Sequence, residues 1–218
     1  QKLEVSLVQL SREVMETLDP DMGSLVSGAL REIGVNLFLS EEFKSFEVND
    51  DRVSGVVTDK RTLPADIVIL GMGVQPRSEL ARAAGLELGE KGAIKVDGRM
   101  QTGTPNVWAA GDCTATVHRL TGQPIYVALG TVANKEGLVA GINLSGGNAW
   151  FPGVMGTAVS KICKLEVART GLQEKELKPL GYDFVAEKIK SRTRAGYYPV
   201  AGTITVKLLA EKIVPVDQ

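Results

Sequence analysis

Residues 104–113, Thr-Pro-Asn-Val-Trp-Ala-Ala-Gly-Asp-Cys, constrain this chain more than any other stretch. Proline and asparagine favour turns, and a short apolar run bounded by such residues reads as a buried strand. The run stops at Gly-Asp. A strand there delivers one carboxylate, Asp112, at its carboxyl end, where open α/β sheets bind their ligands. Gly111 lets the backbone come close. A carboxylate beside it suits the hydroxyls of a bound sugar or sugar alcohol. The plainer alternative is an ordinary Gly-Asp turn after a strand.

The surrounding pattern alternates strands and helices. Residues 3–8 read as a strand. Asp19 is a good N-cap with Pro20 in the first turn, and Met22, Leu25, Val26, Leu30 and Ile33 follow at helical spacing up to Gly34. Residues 35–39 are a second strand, so the unit predicts a parallel crossover. Residues 43–60 read as a hairpin turning at 49–51. Residues 65–70 are almost wholly apolar and predict a buried strand. A short helix at 80–84, a strand at 93–96, a strand at 107–110 and a helix at 132–144 complete this part. Beyond it, residues 151–167 and 200–210 alternate like strands, which predicts a sheet-based domain of another kind.

Composition narrows the classes. At 218 residues, with a net charge of −1 and 44% hydrophobic content, the chain can bury a core. No basic run or basic–aromatic interleaving points to nucleic acid, and no apolar stretch reaches the roughly 18 residues of a membrane span. The amino end carries no signal-peptide pattern. Cys113 and Cys163 lie fifty residues apart, which is neither a disulfide framework nor a metal-ligand spacing. A reducing cytoplasm is the expected compartment, and no metal is expected. The chain starts at Gln1 directly before a strand and finishes on an apolar run at 213–216, so it reads as an internal piece of a longer protein.

The 104–113 stretch resembles the second flavin-binding segment of the pyridine nucleotide–disulfide oxidoreductases. The resemblance implies that Asp112, after Gly111, holds the ribityl chain of FAD. Downstream, the sequence Tyr-Val-Ala-Leu-Gly-Thr-Val-Ala-Asn-Lys-Glu-Gly at 126–137 resembles the helix whose amino end faces the flavin's pyrimidine side. Ala128, Leu129 and Gly130 are then flavin contacts, and the helix end, with its free N–H groups and partial positive charge, favours the negative charge of reduced flavin. The Gly-Met-Gly-Val-Gln-Pro stretch at 71–76 resembles the segment that returns the chain from the nicotinamide domain to the flavin domain, placing Gly71 and Gly73 near the nicotinamide. A plain loop is the alternative there.

At the end of the first strand a dinucleotide-binding unit usually carries an acid for the adenosine ribose. This chain has Gln9, followed by Ser11 and Arg12. Gln9 can bond a ribose hydroxyl, and Arg12 suits a 2′-phosphate, so NAD(P)H is expected without a choice between the two forms. A solvated strand end is the alternative. The glycine fingerprint that precedes this strand in dinucleotide-binding units is absent from the chain.

Residues 151–158, 168–172 and the Tyr-Tyr-Pro stretch at 197–199 resemble the interface domain of the coenzyme A-disulfide reductase branch, which also holds NADH oxidases and peroxidases. That implies a homodimer, with Tyr197 or Tyr198 near the partner subunit's thiol site as candidate catalytic residues. A half-buried strand pair is the other reading of these tyrosines. Lys135 and Arg194 are candidates for coenzyme A phosphates beside a solvated surface role. Neither Cys113 nor Cys163 matches the redox cysteine, which is expected upstream. Cys113 reads as a small buried residue and His118 as a surface-loop histidine.

The expected fold is α/β, α+β overall. Partial Rossmann-like NAD(P)-binding and FAD-binding three-layer domains occupy 1–74 and 75–148, and the start of an α+β dimerisation domain occupies 149–218. The expected activity passes a hydride from NAD(P)H through FAD to a disulfide or persulfide, in the manner of a coenzyme A-disulfide reductase, with a small thiol or disulfide as substrate. The alternatives are an NADH oxidase or peroxidase of the same family, or an inactive fragment serving as an interaction module.

Overall fold

The computed structural model describes residues 3–212, so the apolar run at 213–216 lies outside the described residues. In chain order the elements are β1 (Val5–Gln9), α1 (Pro20–Glu32), β2 (Val35–Leu39), β3 (Phe43–Asn49), β4 (Arg52–Thr58) and β5 (Thr62–Pro64). Then come α2 (Glu79–Ala83), β6 (Ile94–Lys95), β7 (Thr114–Val117), β8 (Pro124–Tyr126) and α3 (Gly130–Leu144). The last are β9 (Ala158–Ile162), β10 (Leu165–Arg169), α4 (Glu174–Leu177), β11 (Phe184–Arg192) and β12 (Thr203–Glu211). They divide into two compact units. One comprises Gln1–Ile69, Val159–Ala168 and Leu172–Gln218, and the other Leu70–Ala158 and Arg169–Gly171.

In the first unit, β1 and β2 pair in parallel, from Val5 opposite Val35 to Gln9 opposite Leu39. The crossover helix α1 starts with Pro20 at its first position, and Gly34, just beyond its end, takes a left-handed φ of 87°. Only glycine adopts that conformation without strain, which is why the helix stops there. Val14, Leu18 and Val26 form the buried centre of this unit, with Leu7, Leu30 and Leu37 packed on it. Ile162, Leu165 and Val167, from the β9–β10 region, complete the same cluster. The hairpin of β3 and β4 turns where expected. Asp50 and Asp51 sit at φ 46° and 58°, the left-handed pair that a tight hairpin turn requires. β11 and β12 form a nine-pair antiparallel ribbon from Phe184 opposite Glu211 to Arg192 opposite Thr203. The alternation at 200–210 marked β12, but β11 carried no signal that sequence reasoning picked up.

In the second unit, β7 pairs in parallel with β6 and antiparallel with β8. The core gathers Met100, Val132, Val139, Ala140, Phe151 and Val154. α3 begins at Gly130, two residues earlier than the apolar periodicity suggested. Gly153 sits at φ 86° so close to β7 that a Cβ there would run into the Val117 carbonyl.

Three expectations from the sequence are corrected. Residues 65–70 do not form a buried strand: Ile67 and Ile69 are 82% and 91% exposed. An apolar run enters a sheet only where another strand completes its hydrogen-bond ladder, and no described strand pairs with this one. Residues 107–110 are half-buried but irregular. They are held by a single bridge, Gln101 to Trp108, and by the Thr102→Val107 and Ala109→Met100 backbone bonds of 2.9 and 3.1 Å. His118 is no surface-loop residue. It is 4% exposed, directly follows β7 and bridges to Val154, because the chain folds back over it.

Candidate functional site

The second unit brings the Gly-Asp stretch and α3 together. Residues 111–114 form a turn closed by the Thr114 N–H on the Gly111 carbonyl at 3.0 Å. Gly111 sits at φ 94°, a conformation that favours glycine. Asp112, at the tip, is exposed. A Cβ placed on Gly111 would lie 3.8 Å from the Ala133 Cβ, so the turn lies beside the first turn of α3.

Beneath the turn is a residue that the sequence reading missed. Glu136, on α3, is 1% exposed. Its Oε2 accepts the Gly111 N–H at 2.9 Å and lies 2.7 Å from Thr114 Oγ1. The same hydroxyl lies 2.7 Å from the Gly111 carbonyl oxygen. One carboxyl oxygen therefore holds both ends of the turn that presents Asp112. Burial pushes the Glu136 carboxyl above its ordinary range, and the Asp112 charge adds to that. The Thr114 and Gly111 hydrogen bonds act the other way. Nothing in the sequence distinguishes this glutamate from a solvated helical one, since its burial comes from the turn folded over it.

The other half of the arrangement is the entry to α3. Ala128 and Leu129 are half-buried and Gly130 is exposed. Leu129 packs on the core and stands at the N-cap with φ −130° and ψ 129°. No side chain caps the fifteen-residue helix. An uncapped helix end leaves backbone donors, with partial positive charge, for an outside acceptor.

Cys113 sits inside the turn with Sγ 3.6 Å from the Ala110 carbonyl oxygen. Burial raises its thiol pKa, and the Asp112 charge raises it further. A thiol held protonated is a poor nucleophile. Burial and the Asp112 charge also push Tyr126 upward. Gly71 and Gly73 lie on the exposed stretch between β5 and α2. Gly73 takes φ 81°, and no atom lies within 4 Å of where a Cβ would stand at either glycine.

The first unit holds the other candidates. Gln9 ends β1, and its carbonyl accepts the Glu41 N–H at 3.0 Å. Arg12 is exposed and lines an open cleft of about 310 Å³ with Ser11, Glu13, Glu16 and Lys175. Lys175, on α4, reaches the Glu16 carbonyl and donates to the Leu18 carbonyl at 3.2 Å. It brings a second cation to the loop that carries Arg12, a placement invisible at a separation of 163 residues. Tyr197 and Tyr198 are 84% and 54% exposed, between β11 and β12, with ring centroids 5.0 Å apart. They are not a half-buried strand pair, because both strands stop short of them. Among the described residues no cluster of His, Cys, Asp and Glu has the makings of a metal site. No described helix is long and apolar enough to cross a membrane.

A parallel strand–helix–strand unit, and a Gly-Asp turn lodged beside an uncapped helix, define a mixed α/β protein of Rossmann-like build. The chain belongs to the pyridine nucleotide-disulphide oxidoreductase family, whose model matches residues 1–137. A curated relative from Pyrococcus furiosus, named NAD(P)H sulfur oxidoreductase (CoA-dependent), is 40% identical over 204 residues, covering 93% of this chain and 46% of the relative. The coenzyme A disulfide reductase of Staphylococcus haemolyticus is 32% identical, with 90% and 44% covered. The solved structure of an NAD-dependent persulfide reductase from A. fulgidus superposes with a TM-score of 0.92 at 40% identity, covering 96% of this chain and 39% of that one. The chain thus spans about half the length of the curated relatives it matches.

Proposed function

We propose that this chain is part of a flavin-dependent oxidoreductase that passes a hydride from NAD(P)H through FAD to a disulfide or persulfide, most like a coenzyme A-disulfide reductase. The observation that carries the reading is the turn at 111–114, which presents Asp112 beside the uncapped start of α3. Family membership and relatives named for coenzyme A-dependent sulfur and disulfide reduction support it.

A bound FAD would supply hydride acceptance from a nicotinamide and electron-pair transfer to a sulfur acceptor. The residues here fit such a group. Asp112 is an exposed acceptor for ribityl hydroxyls. Gly111 keeps the backbone thin behind it, and Ala128 with Gly130 leaves room at the entry to α3. The amides at that entry favour negative charge on the ring. We assign Gln9 and Arg12 to the adenosine end of NAD(P)H, and Gly71 and Gly73 to its nicotinamide end. Tyr197 and Tyr198 are exposed and suited to meet a thiol site on a partner subunit. The redox thiol is a cysteine other than Cys113 and Cys163.

The proposal extends to organisation. Residues 1–74 contribute to the NAD(P)H-binding domain, 75–148 to the FAD-binding domain and 149–218 to a dimerisation domain of a cytoplasmic homodimer. The substrate is a small disulfide or persulfide, with coenzyme A as the favoured carrier.

The test is Asp112→Ala in the protein as its gene encodes it. The flavin absorbance per protein is expected to fall at least tenfold after gel filtration. Full flavin content in the variant would remove Asp112 from the site.

A further inference from the structure

Beneath the Asp112 turn, two oxygens compete for one hydroxyl proton when Glu136 is ionised, and one of them, the Gly111 carbonyl, already accepts the Thr114 N–H at 3.0 Å. Thr114 Oγ1 lies 2.7 Å from Glu136 Oε2 and 2.7 Å from the Gly111 carbonyl oxygen. Both are acceptors when Glu136 is ionised, and a hydroxyl has a single proton to donate. The two contacts are filled together when the carboxyl carries a proton of its own. Glu136 Oε2–H then donates to Thr114 Oγ1, Thr114 Oγ1–H donates to the Gly111 carbonyl, and the Gly111 N–H donates to Glu136 Oε2 at 2.9 Å. The three bonds close a ring in which each group both gives and receives, an arrangement whose members polarise one another.

The surroundings agree. Glu136 is 1% exposed, and an ionised carboxylate removed from water needs a cation or several donors to hold it. The charged group that shifts it is Asp112, which is negative. Cys113, on the same turn, is a raised, neutral thiol. Lys135, the next residue back on α3, is exposed.

We infer that Glu136 is a neutral carboxylic acid that positions the Gly111–Asp112 turn, and that its ionisation loosens the cofactor held by that turn. For its second half the inference rests on the flavin reading proposed above. Ionisation would break the ring at the Thr114 hydroxyl and set a second negative charge behind Asp112. The turn would then be aimed less firmly, and the site would become more negative towards a cofactor that carries a pyrophosphate. Glu136 is a positioning residue, acting through Gly111 and Thr114.

The test uses the protein as its gene encodes it, with Glu136→Gln and Glu136→Leu. Glutamine offers an acceptor for Gly111 and a donor for Thr114 but cannot ionise. An infrared difference spectrum, wild type minus E136Q, recorded at pH 6 without flavin, is expected to show the C=O band of a protonated carboxyl. A carboxylate pair in its place overturns the assignment. FAD dissociation constants then test the consequence. For the wild type the constant is expected to rise about tenfold across the pH range in which the infrared band disappears, while E136Q stays within about twofold throughout and E136L binds about tenfold more weakly at every pH. A wild-type constant that does not move as the band disappears overturns the coupling, and if E136L does not fold, the E136Q comparison decides alone. A protein that shows the acid band and takes up no FAD keeps the proton on Glu136 and removes the flavin reading. One that takes up FAD but shows only carboxylate does the reverse.

Discussion

Each of the two units buries a polar cluster, and the clusters solve opposite problems. In the first, the Lys207 ammonium, 8% exposed, meets Asp19 at 3.1 Å, Asp21 at 2.7 Å and Glu174 at 2.5 Å. Lys188 adds a contact to Asp21 at 3.0 Å. The Asp19 carboxylate also accepts the backbone N–H groups of Glu174 and Lys175 at 3.2 and 3.4 Å, at the start of α4. It therefore caps α4, while its own helix α1 has no side-chain cap. In the second unit Glu136 is as deeply buried but has hydroxyl and amide partners in place of a cation.

The difference shows in the protons. Burial opposes the charge of Lys207, yet its bonds to Asp21, Glu174 and Asp19 outweigh burial and push its pKa up. Burial likewise opposes Asp21, and Lys207 with Lys188 overcomes it and pulls its pKa down. Glu174 is lowered by its bonds to Lys207 and then Lys178. Glu136 has no such counterweight, so burial prevails. A buried carboxyl keeps its charge where a cation is built in beside it and surrenders it where the partners are neutral.

The comparison can be broken at several points. Lys207→Met should have the largest effect. It leaves Asp19 buried without its cation and sets three carboxylates against one another, at a cost of about 3 kcal/mol or more. Urea unfolding monitored by circular dichroism reads this directly, and a loss below about 1 kcal/mol would mean that the cluster is not held by charge.

The next test is pH. Asp21 and Glu174 have folded pKa values below their unfolded ones. Their contribution is present above about pH 4 and is lost as the pH falls through the lowered values. Glu136 has a raised folded pKa. Its contribution is complete below about pH 4 and is lost as the pH rises through the raised folded pKa. Hydrogen exchange should therefore show the amides of β12 and α4 losing protection on acidification and those at 111–114 losing it on alkalinisation. Protection that moves in the same direction at both places would erase the distinction.

Lys188→Met sharpens the picture at the smallest scale. Lys188 is about half-exposed and shares Asp21 with Lys207. Its removal should cost no more than about 0.5 kcal/mol, measured in the same urea titration.

How much of this was legible depended on whether the signal was local. The α1 helix with its Pro20 start and glycine stop, and the Asp50–Asp51 turn, were readable because such backbone preferences act over a few residues, although the Asp19 side chain expected to cap α1 caps α4 instead. Residues 65–70 were misread for the converse reason. Their apolar character was plain, but burial needs a neighbouring strand that lies elsewhere in sequence. β11 was missed because Glu187, Lys188, Lys190 and Ser191 break up its apolar content and its partner begins eleven residues later. Asp112 and Gly111 stood out within a motif. Glu136, Lys175 and Lys207 did not, since a charged residue on a helix or an alternating strand ordinarily faces water.

By itself the sequence determined the local framework: where α1 begins and ends, where the first hairpin turns, and that a carboxylate follows a glycine at the end of an apolar run. Those features depend on backbone preferences and short-range hydrogen bonds, which neighbouring residues carry with them. Only the tertiary structure decided which charges are buried and what they meet. It set Glu136 under a turn that begins 25 residues earlier, and Lys207 among carboxylates up to 188 residues away. Desolvation and pairing are properties of the place a side chain comes to occupy, and chain neighbours do not reveal that place.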